Sequence, residues 1–352
     1  MEGIKEAYPH LNLIITFFSP SCFEVRKGYP LAHYVGYLPL DTVANAQLFL
    51  ELTKPKLVVF VKSEIWPNFI SAIKRRGVPS LLISARFYEK QSIFTRKGRL
   101  FLRALAKFDF IFVQDKISQK LLKKHNMYSI LAGDTRYDTV LKTKKSSFPL
   151  PYVDLFVSTK RTWVIGSCWE EDLDVLFDYI NDTGQHIKVI IAPHDISQKM
   201  TDYIKAGLKV PFVSYSDCAQ LSESVLKESK VMIVDCIGIL SHLYRYAHVS
   251  YIGGAFKQGL HNILEPAVFG SPVIIGPIFD KFPEATEMIA SAGVFSIQTK
   301  EQLHKKMDQL LLDENYHSSV SDKNIHYMEG MAGATSKIMT TVKMLLENKV
   351  NT

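Results

Sequence analysis

Short runs of consecutive apolar, β-prone residues recur along this chain at 11–18, 32–38, 57–61, 80–84, 108–114 and 129–132, and again at 163–166, 188–192, 231–234, 249–252, 273–275 and 294–297. Helix-patterned stretches separate them. The runs are continuous rather than alternating, so the strands they form bury both faces, as strands do in parallel sheets covered by helices. Parallel neighbours need long crossover connections, which the helical stretches supply. The pattern predicts an α/β chain with two doubly wound parallel-sheet domains, and 352 residues suffice for about two such domains. Ligands of open α/β sheets bind beyond the carboxyl ends of the strands, so two such domains facing each other are expected to form a cleft.

The stretch Lys142 to Pro151, Lys-Thr-Lys-Lys-Ser-Ser-Phe-Pro-Leu-Pro, is polar and proline-bearing and reads as an interdomain linker. The expected divisions are 1–145, 146–325 and a terminal helical segment 326–352, patterned from about Asn324 to Val350, that packs back toward the first domain. A hydrophobic content of 47% and a mean hydropathy near zero suit a soluble protein. No apolar run reaches the roughly 18 to 20 residues of a membrane span, and the first residues lack the basic, apolar and cleavage-site order of a signal peptide. Cys22, Cys168, Cys218 and Cys236 are far apart and show no metal-ligand spacing. They are expected as separate buried or half-buried thiols, with neither a disulfide nor a metal site.

The net charge of +7 gathers in the first half, at Lys74-Arg75-Arg76, Arg96, Lys97, Arg99, Arg103 and Lys107, Lys123-Lys124, and Lys142, Lys144 and Lys145. Charge runs of this kind are most often solvated helix faces. If one half meets an anionic partner, it is this one. The chain has no nucleic-acid motif and no interleaving of basic with aromatic residues, so nucleic acid is not expected and an anionic membrane surface fits better.

Residues 249–277 read as a buried strand, a glycine turn at Gly253-Gly254, a helix opening at His261-Asn262, and a second buried strand. Backbone N–H groups and the positive end of a helix dipole at such a turn suit a phosphate. Glu265, one turn after Asn262, is placed to hold sugar hydroxyls. A plain N-cap by Asn262 is the competing reading, and Pro266 falls where a first helical turn tolerates proline. Other strand exits converge on the same rim. Gly166-Ser167 precede Trp169 and the acidic Glu170-Glu171-Asp172, either as anion-binding donors or as ordinary capping. Pro193-His194-Asp195 follows another strand, with His194 a ligand contact or a cap. In Asp235-Cys236-Ile237-Gly238-Ile239-Leu240, the glycine allows close approach to a ligand or tight helix–sheet packing.

Taken in order, these motifs resemble the 3-deoxy-D-manno-oct-2-ulosonic acid (Kdo) transferases of lipopolysaccharide synthesis, glycosyltransferase family 30. The resemblance runs through Tyr37-Leu38-Pro39-Leu40-Asp41, Ser63-Glu64-Ile65-Trp66-Pro67-Asn68, Ser84-Ala85-Arg86, Gly133-Asp134-Thr135-Arg136-Tyr137-Asp138, Gly166-Ser167-Cys168-Trp169-Glu170-Glu171, Pro193-His194, 235–240, Gly253-Gly254 and His261-Asn262-Ile263-Leu264-Glu265-Pro266. Thr16-Phe17-Phe18-Ser19-Pro20-Ser21 looks like the variant of Bacteroidetes-type members.

The resemblance implies a GT-B fold, two Rossmann-like domains facing a cleft, with an acceptor-side first domain and a nucleotide-sugar second domain. It implies CMP-Kdo as donor substrate, no cofactor, a lipid A precursor as acceptor, and a peripheral location at the cytoplasmic face of the inner membrane. The transfer it implies is inverting and metal-independent. Carried over, the donor contacts fall on Gly166, Ser167, Pro193, His194, Ile237, Gly238, Ile239, Gly253, Gly254, His261, Asn262, Ile263, Leu264 and Glu265. Glu64 and Arg136 match positions that stabilise charge near the transferred sugar, and a cation at Arg136 suits a departing phosphate and a sugar carboxylate. Capping of the helix begun at Trp66-Pro67 is the other reading of Glu64.

Two departures stand out. The family's Pro-Arg-His is Pro193-His194-Asp195 here, so a phosphate-binding arginine is missing or supplied elsewhere. The family's Gly-Glu motif, whose glutamate is the general base, precedes the segment matching Ile4 to Pro9, and neither Glu2 nor Glu6 matches it. The expectation is an N-terminally shortened transferase that binds donor and turns over poorly. The rivals are another GT-B enzyme, a UDP-sugar transferase or sugar-nucleotide 2-epimerase, and a lipid-binding protein without strong catalysis.

Overall fold

The structure is a computed structural model that describes residues 1–182, 184 and 187–347, the side chains of Ser21, Cys22 and Val25 apart. The expectations on the Ser21 and Cys22 side chains and on Val350 lie outside the described residues. The chain divides into two compact units, Met1–Asp138 with Ala332–Thr352, and Thr139–Met331.

In the first unit β1 (Ile14–Phe17) pairs with β2 (Tyr34–Tyr37), and β3 (Val58–Val61), β4 (Ser80–Ala85), β5 (Phe110–Val113) and β6 (Ile130–Leu131) form a separate sheet in that order. All pairings are parallel. Successive side chains of a strand face opposite ways, so Leu82 and Leu81 enter different cores. Leu82, Ile111 and Val113 pack with Ile70, Leu105 and Leu122. On the other side Leu81, Phe112 and Ala132 pack with Ile338, Val342 and Leu346 of the helix Ala334–Glu347.

The expectation of strands buried on both faces does not hold for β1 and β2. Tyr34 is 57% and Tyr37 48% exposed. Three apart on β2, these two side chains face opposite ways, so neither face of this two-stranded sheet is fully covered. The first half therefore carries two sheets rather than one doubly wound sheet.

The second unit holds β7 (Arg161–Cys168), β8 (Ile187–Pro193), β9 (Phe212–Ser214), β10 (Val231–Ile233), β11 (Val249–Ile252), β12 (Val273–Ile275) and β13 (Val294–Ser296), in the order β13-β12-β11-β7-β8-β10-β9. Every pairing is parallel. All residues of β8, β10, β11 and β12 are buried, as their continuous apolar runs require. Trp163, Ile165, Val189 and Tyr251 anchor a core with Leu173, Ile204 and Leu310 from the covering helices. From β7 the chain builds outward through β8 and β10, then returns to place β11 against the other side of β7. Such a reversal opens a crevice at the carboxyl ends of β7 and β11. At the opposite end of the sheet, just before β11, the rings of His248 and His317 lie parallel, with centroids 3.7 Å apart.

Three segment expectations need correction. The stretch expected as a linker is largely helical: Thr135–Ser146 is one helix, Pro151 opens another (Pro151–Val157), and the unit division falls after Asp138. Lysines form helix readily and proline is well placed at a first helical position, so polarity and Pro151 misled. The terminal segment is two helices, Glu314–Gly330 and Ala334–Glu347, parted by Gly333 at φ +103°, and the first of them belongs to the second unit. β9, only three residues behind Pro211 on the sheet edge, was not expected at all.

Candidate functional site

The crevice of the second unit is bounded by two glycine-bearing strand exits. A Cβ on Gly166 would land on the hydroxyl of the buried Tyr244, and one on Gly253 would lie 2.5 Å from Cys168 Cα and 2.7 Å from Asp172 Oδ2. Only glycine fits at either position. Gly254 sits at φ +92° and Ser167, without that freedom, at φ +53°, where the β7–β8 register shifts between Gly166 and Cys168. Left-handed backbone at a non-glycine residue persists only when its surroundings hold it there.

Asp172 does the holding. Its side chain is buried, Oδ1 accepts from Tyr251 Oη at 2.7 Å, and Oδ2 accepts from Trp169 N and Gly254 N, both at 2.9 Å. Burial pushes its carboxyl up from the ordinary carboxylate value, and these three donors oppose the shift. One carboxylate thus ties the exit of β7 to the exit of β11. Read in sequence as part of an acidic first turn, Asp172 has no linear signal that marks it as a tie between strands. The backbone donors expected to meet a phosphate are also taken up here: Gly254 N and Trp169 N bond Asp172, Gly253 N bonds Gly166 O, and His261 N bonds Gly253 O.

Three rings gather beside this tie. His194 stacks on Trp169 with centroids 4.6 Å apart and on His261 at 4.4 Å, and Trp169 Nε1 donates to His261 Nε2 at 3.2 Å. His194 N donates to Cys168 O, which fixes the ring's root on the end of β7. Burial, then the neighbouring His194, push His261 down to about 4, in keeping with an Nε2 that accepts a hydrogen bond. Trp169 belongs to the site but was not among the predicted contacts. Its motif was visible, its stacking across separate exits was not.

The helix expected at His261-Asn262 is a single turn, Leu264–Ala267, too short for much of a macrodipole. Asn262 Oδ1 accepts from Leu264 N at 3.2 Å, in keeping with the capping reading, and its amide donates to Glu265 Oε1 at 2.9 Å. Burial raises the Glu265 carboxyl, opposed by the Asn262 amide. Ile263 and Leu264 are 1% and 0% exposed, so their side chains are core and only their backbone could face a ligand. After β10, Ile237 is 84% exposed, and Gly238 at φ +99° has nothing within 4 Å of a Cβ position. That excludes tight packing as the reason for the glycine. Pro193 closes β8 and is buried. Gly166, Ser167, Pro193, His194, Gly253, Gly254 and His261 come together at the β7–β11 crevice and the adjoining exit of β8, whereas 237–239 follow β10, the strand beyond β8.

In the first unit, Glu64 follows β3 and Arg136 follows β6, the two outer strands of the four-stranded sheet. Glu64 is exposed and accepts from Trp66 Nε1 at 2.7 Å. It does not cap the helix Pro67–Arg75: Asp41 does, accepting from Asn68 N at 3.1 Å and Phe69 N at 3.0 Å. Arg136 is paired through Nε and Nη2 with Asp134 Oδ2, both at 2.8 Å. Between the two outer strands, Arg86 meets Asp115 at 3.3 Å, and Ser84, at φ +50°, shares a hydrogen bond with Thr135 Oγ1 at 3.1 Å. Glu64 and Arg136 both lie beyond the carboxyl ends of this sheet, but after opposite edge strands, and no hydrogen bond or ion pair joins them. Among the described residues, no three or more His, Cys, Asp or Glu side chains gather as metal ligands would.

Residues 1–139 match the family described as 3-Deoxy-D-manno-octulosonic-acid transferase (kdotransferase). The chain is 25% identical to the 3-deoxy-D-manno-octulosonic acid transferase of Haemophilus influenzae, over 99% of this chain and 84% of that protein. It is 28% identical to the protein of that name from Aquifex aeolicus, over 88% of this chain and 81% of the other. Among solved structures, UDP-GlcNAc 2-epimerase from Neisseria meningitidis bound to UDP-GlcNAc aligns with a TM-score of 0.65 at 13% identity, over 94% of this chain and 91% of that one. Likeness at that identity concerns the fold alone, and that fold is GT-B.

Proposed function

We propose, from the premise that this chain is a relative of the 3-deoxy-D-manno-octulosonic acid transferases, that it transfers Kdo from CMP-Kdo to a lipid A precursor. The observation that carries the reading is the crevice at the β7–β11 reversal, where Gly166 and Gly253 leave bare backbone and the Asn262–Glu265 pair stands ready for ribose hydroxyls. The exposed Ile237-Gly238-Ile239 loop would meet the base. In the proposed reaction an acceptor hydroxyl oxygen attacks the anomeric carbon of Kdo, the bond to the CMP phosphate breaks with its electron pair, and the configuration inverts. Arg136 would stabilise the developing anionic charge without a metal, with Glu64 at the same carboxyl end of the sheet, after the opposite edge strand.

The acceptor would be met at a membrane surface. On the helix Arg99–Leu105, Leu100 and Phe101 are 62% and 44% exposed, flanked by Arg96, Lys97, Arg99 and Arg103. Apolar side chains among cations suit an anionic lipid surface. Among the described residues, no helix is long and apolar enough to cross a membrane.

The test is a nucleotide-induced thermal shift. CMP at 100 times its Kd should stabilise by about 2.7 kcal/mol, and UDP should not. Glu265→Ala should abolish the CMP shift, while Arg136→Ala should keep it and lower kcat roughly 10²- to 10³-fold. A shift with UDP and none with CMP sinks the reading in favour of another GT-B enzyme. Binding to lipid A vesicles with no effect of CMP would leave a lipid-binding protein.

A further inference from the structure

At the outer end of the second sheet lies a cavity that the proposed reaction leaves unused. It opens beyond the carboxyl ends of β12 and the edge strand β13, and the helix Lys300–Leu312 closes its far side. Its volume is about 520 Å³, within the roughly 300 to 1,000 Å³ of small-molecule sites. The loop after β12 gives it an apolar wall through Pro277 and Phe279, and that loop is pinned: Ile278 N donates to Ala255 O and Phe282 N to Phe279 O, both at 2.8 Å. None of the residues assigned to the crevice lines it.

The polar side of this cavity offers donors and no acidic group: its lining has two lysines, three glutamines and neither aspartate nor glutamate. Lys306 Nζ sits 4.2 Å from the ring centroid of Phe295 and 5.3 Å from that of Tyr316, and donates to Gln309 Oε1 at 2.8 Å and Tyr316 Oη at 3.2 Å. Two rings and two neutral acceptors thus fix the ammonium, and with three N–H groups it keeps one to spare. An ammonium can only donate, so Gln309 must turn its oxygen to Lys306, which leaves its amide N–H groups for another partner. Gln302 is turned the same way, since its Oε1 accepts from the backbone N–H of Gln298 at 2.7 Å. Lys305 is exposed, and among the described residues no carboxylate pairs with either lysine. A cation held against apolar rings without a counter-charge favours an anion brought to it.

We infer that this cavity binds a sugar bearing one oxyanion, a phosphate or a carboxylate. Lys306 meets the charge, with the exposed Lys305 beside it, while the glutamine amides meet hydroxyls and the Phe279 ring covers the C–H face of the sugar. Inorganic phosphate would answer the lysines alone and leave the amides and the apolar wall unused. Such binding is independent of which nucleotide the crevice takes.

The experiment is calorimetric titration of the full chain at neutral pH with glucose 6-phosphate and with glucuronate, against glucose and inorganic phosphate. At least one charged sugar should bind about tenfold or more tightly than either control, the scale on which a charge-assisted contact exceeds a neutral one, and the tighter of the two identifies the oxyanion. Lys306→Gln should lose about tenfold in affinity for it and Lys305→Gln about two- to fivefold, whereas Glu265→Ala in the crevice should bind it as the unaltered chain does. Thermal melting shows whether Lys306→Gln folds; if it does not, Lys305→Gln, altered only at an exposed side chain, decides in its place. No binding of either charged sugar, or equal binding of glucose or inorganic phosphate, overturns the inference. So does full affinity in the deciding lysine variant, or loss of affinity in Glu265→Ala, which would put the ligand in the crevice instead.

Discussion

At the strand exits of the second unit, charge is buried and answered by backbone: Asp172 accepts from Trp169 N, Gly254 N and Tyr251 Oη with no cation among its partners. At the exits of the first, charge is answered by charge with the cation toward water: the part-exposed Arg136 pairs with Asp134, which is buried and also accepts from Arg136 N, and Arg86 pairs with Asp115. A buried carboxylate tied to backbone fixes distances, because every partner lost leaves an unsatisfied group in a dry place. Half-exposed ion pairs are weak and can exchange partners. In the proposed reaction this contrast would serve a donor held in a set pose by the second unit and a bulkier acceptor admitted by the first.

The largest effect that would sharpen this contrast comes from glycine. Gly253→Ala drives a methyl against Cys168 Cα and the Ser167 carbonyl and should destabilise the protein by about 3 kcal/mol or more, seen as an earlier urea midpoint. Gly28→Ala in the first unit, with nothing within 4 Å of its Cβ position, should stay within about 1 kcal/mol. Next, Asp172→Ala strands three donors and should cost about 2 to 3 kcal/mol while leaving overall secondary structure intact by circular dichroism.

Acid gives a smaller, graded effect. His248 and His261 are held down to about 4 against an ordinary 6.5, both chiefly by burial. Their folded values lie below the unfolded ones, so the unfolded chain takes up protons first. Stability is complete above about pH 6.5 and is lost as pH falls toward 4, with a slope of at most about 1.4 kcal/mol per pH unit per histidine. His248→Asn and His261→Asn should each flatten part of that slope in urea titrations at pH 5 and 7.5. The smallest effect belongs to the exposed Lys124–Glu89 pair of the first unit, where Lys124→Ala should leave the urea midpoint essentially unchanged. If it costs as much as Asp172→Ala, the contrast between the units fails.

Much of this architecture is legible before any coordinates. The apolar runs mark all the strands except β9, most directly in the second unit, where strands buried on both faces admit little else. β9 escapes because three edge residues behind a proline carry no pattern of their own. The glycines were readable as special positions, but not why: Gly238 is there for its φ and Gly166 for the hydroxyl of Tyr244, two causes that look alike in one dimension. The cap of Pro67–Arg75 is Asp41 rather than the nearby Glu64, since capping needs proximity in space and not in number. Asp172 and the Trp169–His194–His261 stack were hidden for the same reason. Their partners lie on different strands, and only the sheet brings them together.

The helix Ala334–Glu347 belongs to the first unit, although almost two hundred residues of the second intervene. Ile338, Val342 and Leu346 complete the apolar cluster around Leu81 and Phe112. During synthesis, which proceeds from the N-terminus, that side of the first sheet stays uncovered until the closing helix leaves the ribosome, while the second unit already has all its parts. The half made first is the half finished last, and a nascent chain halted just before 334 would present a wet, aggregation-prone sheet beside a fully folded neighbour.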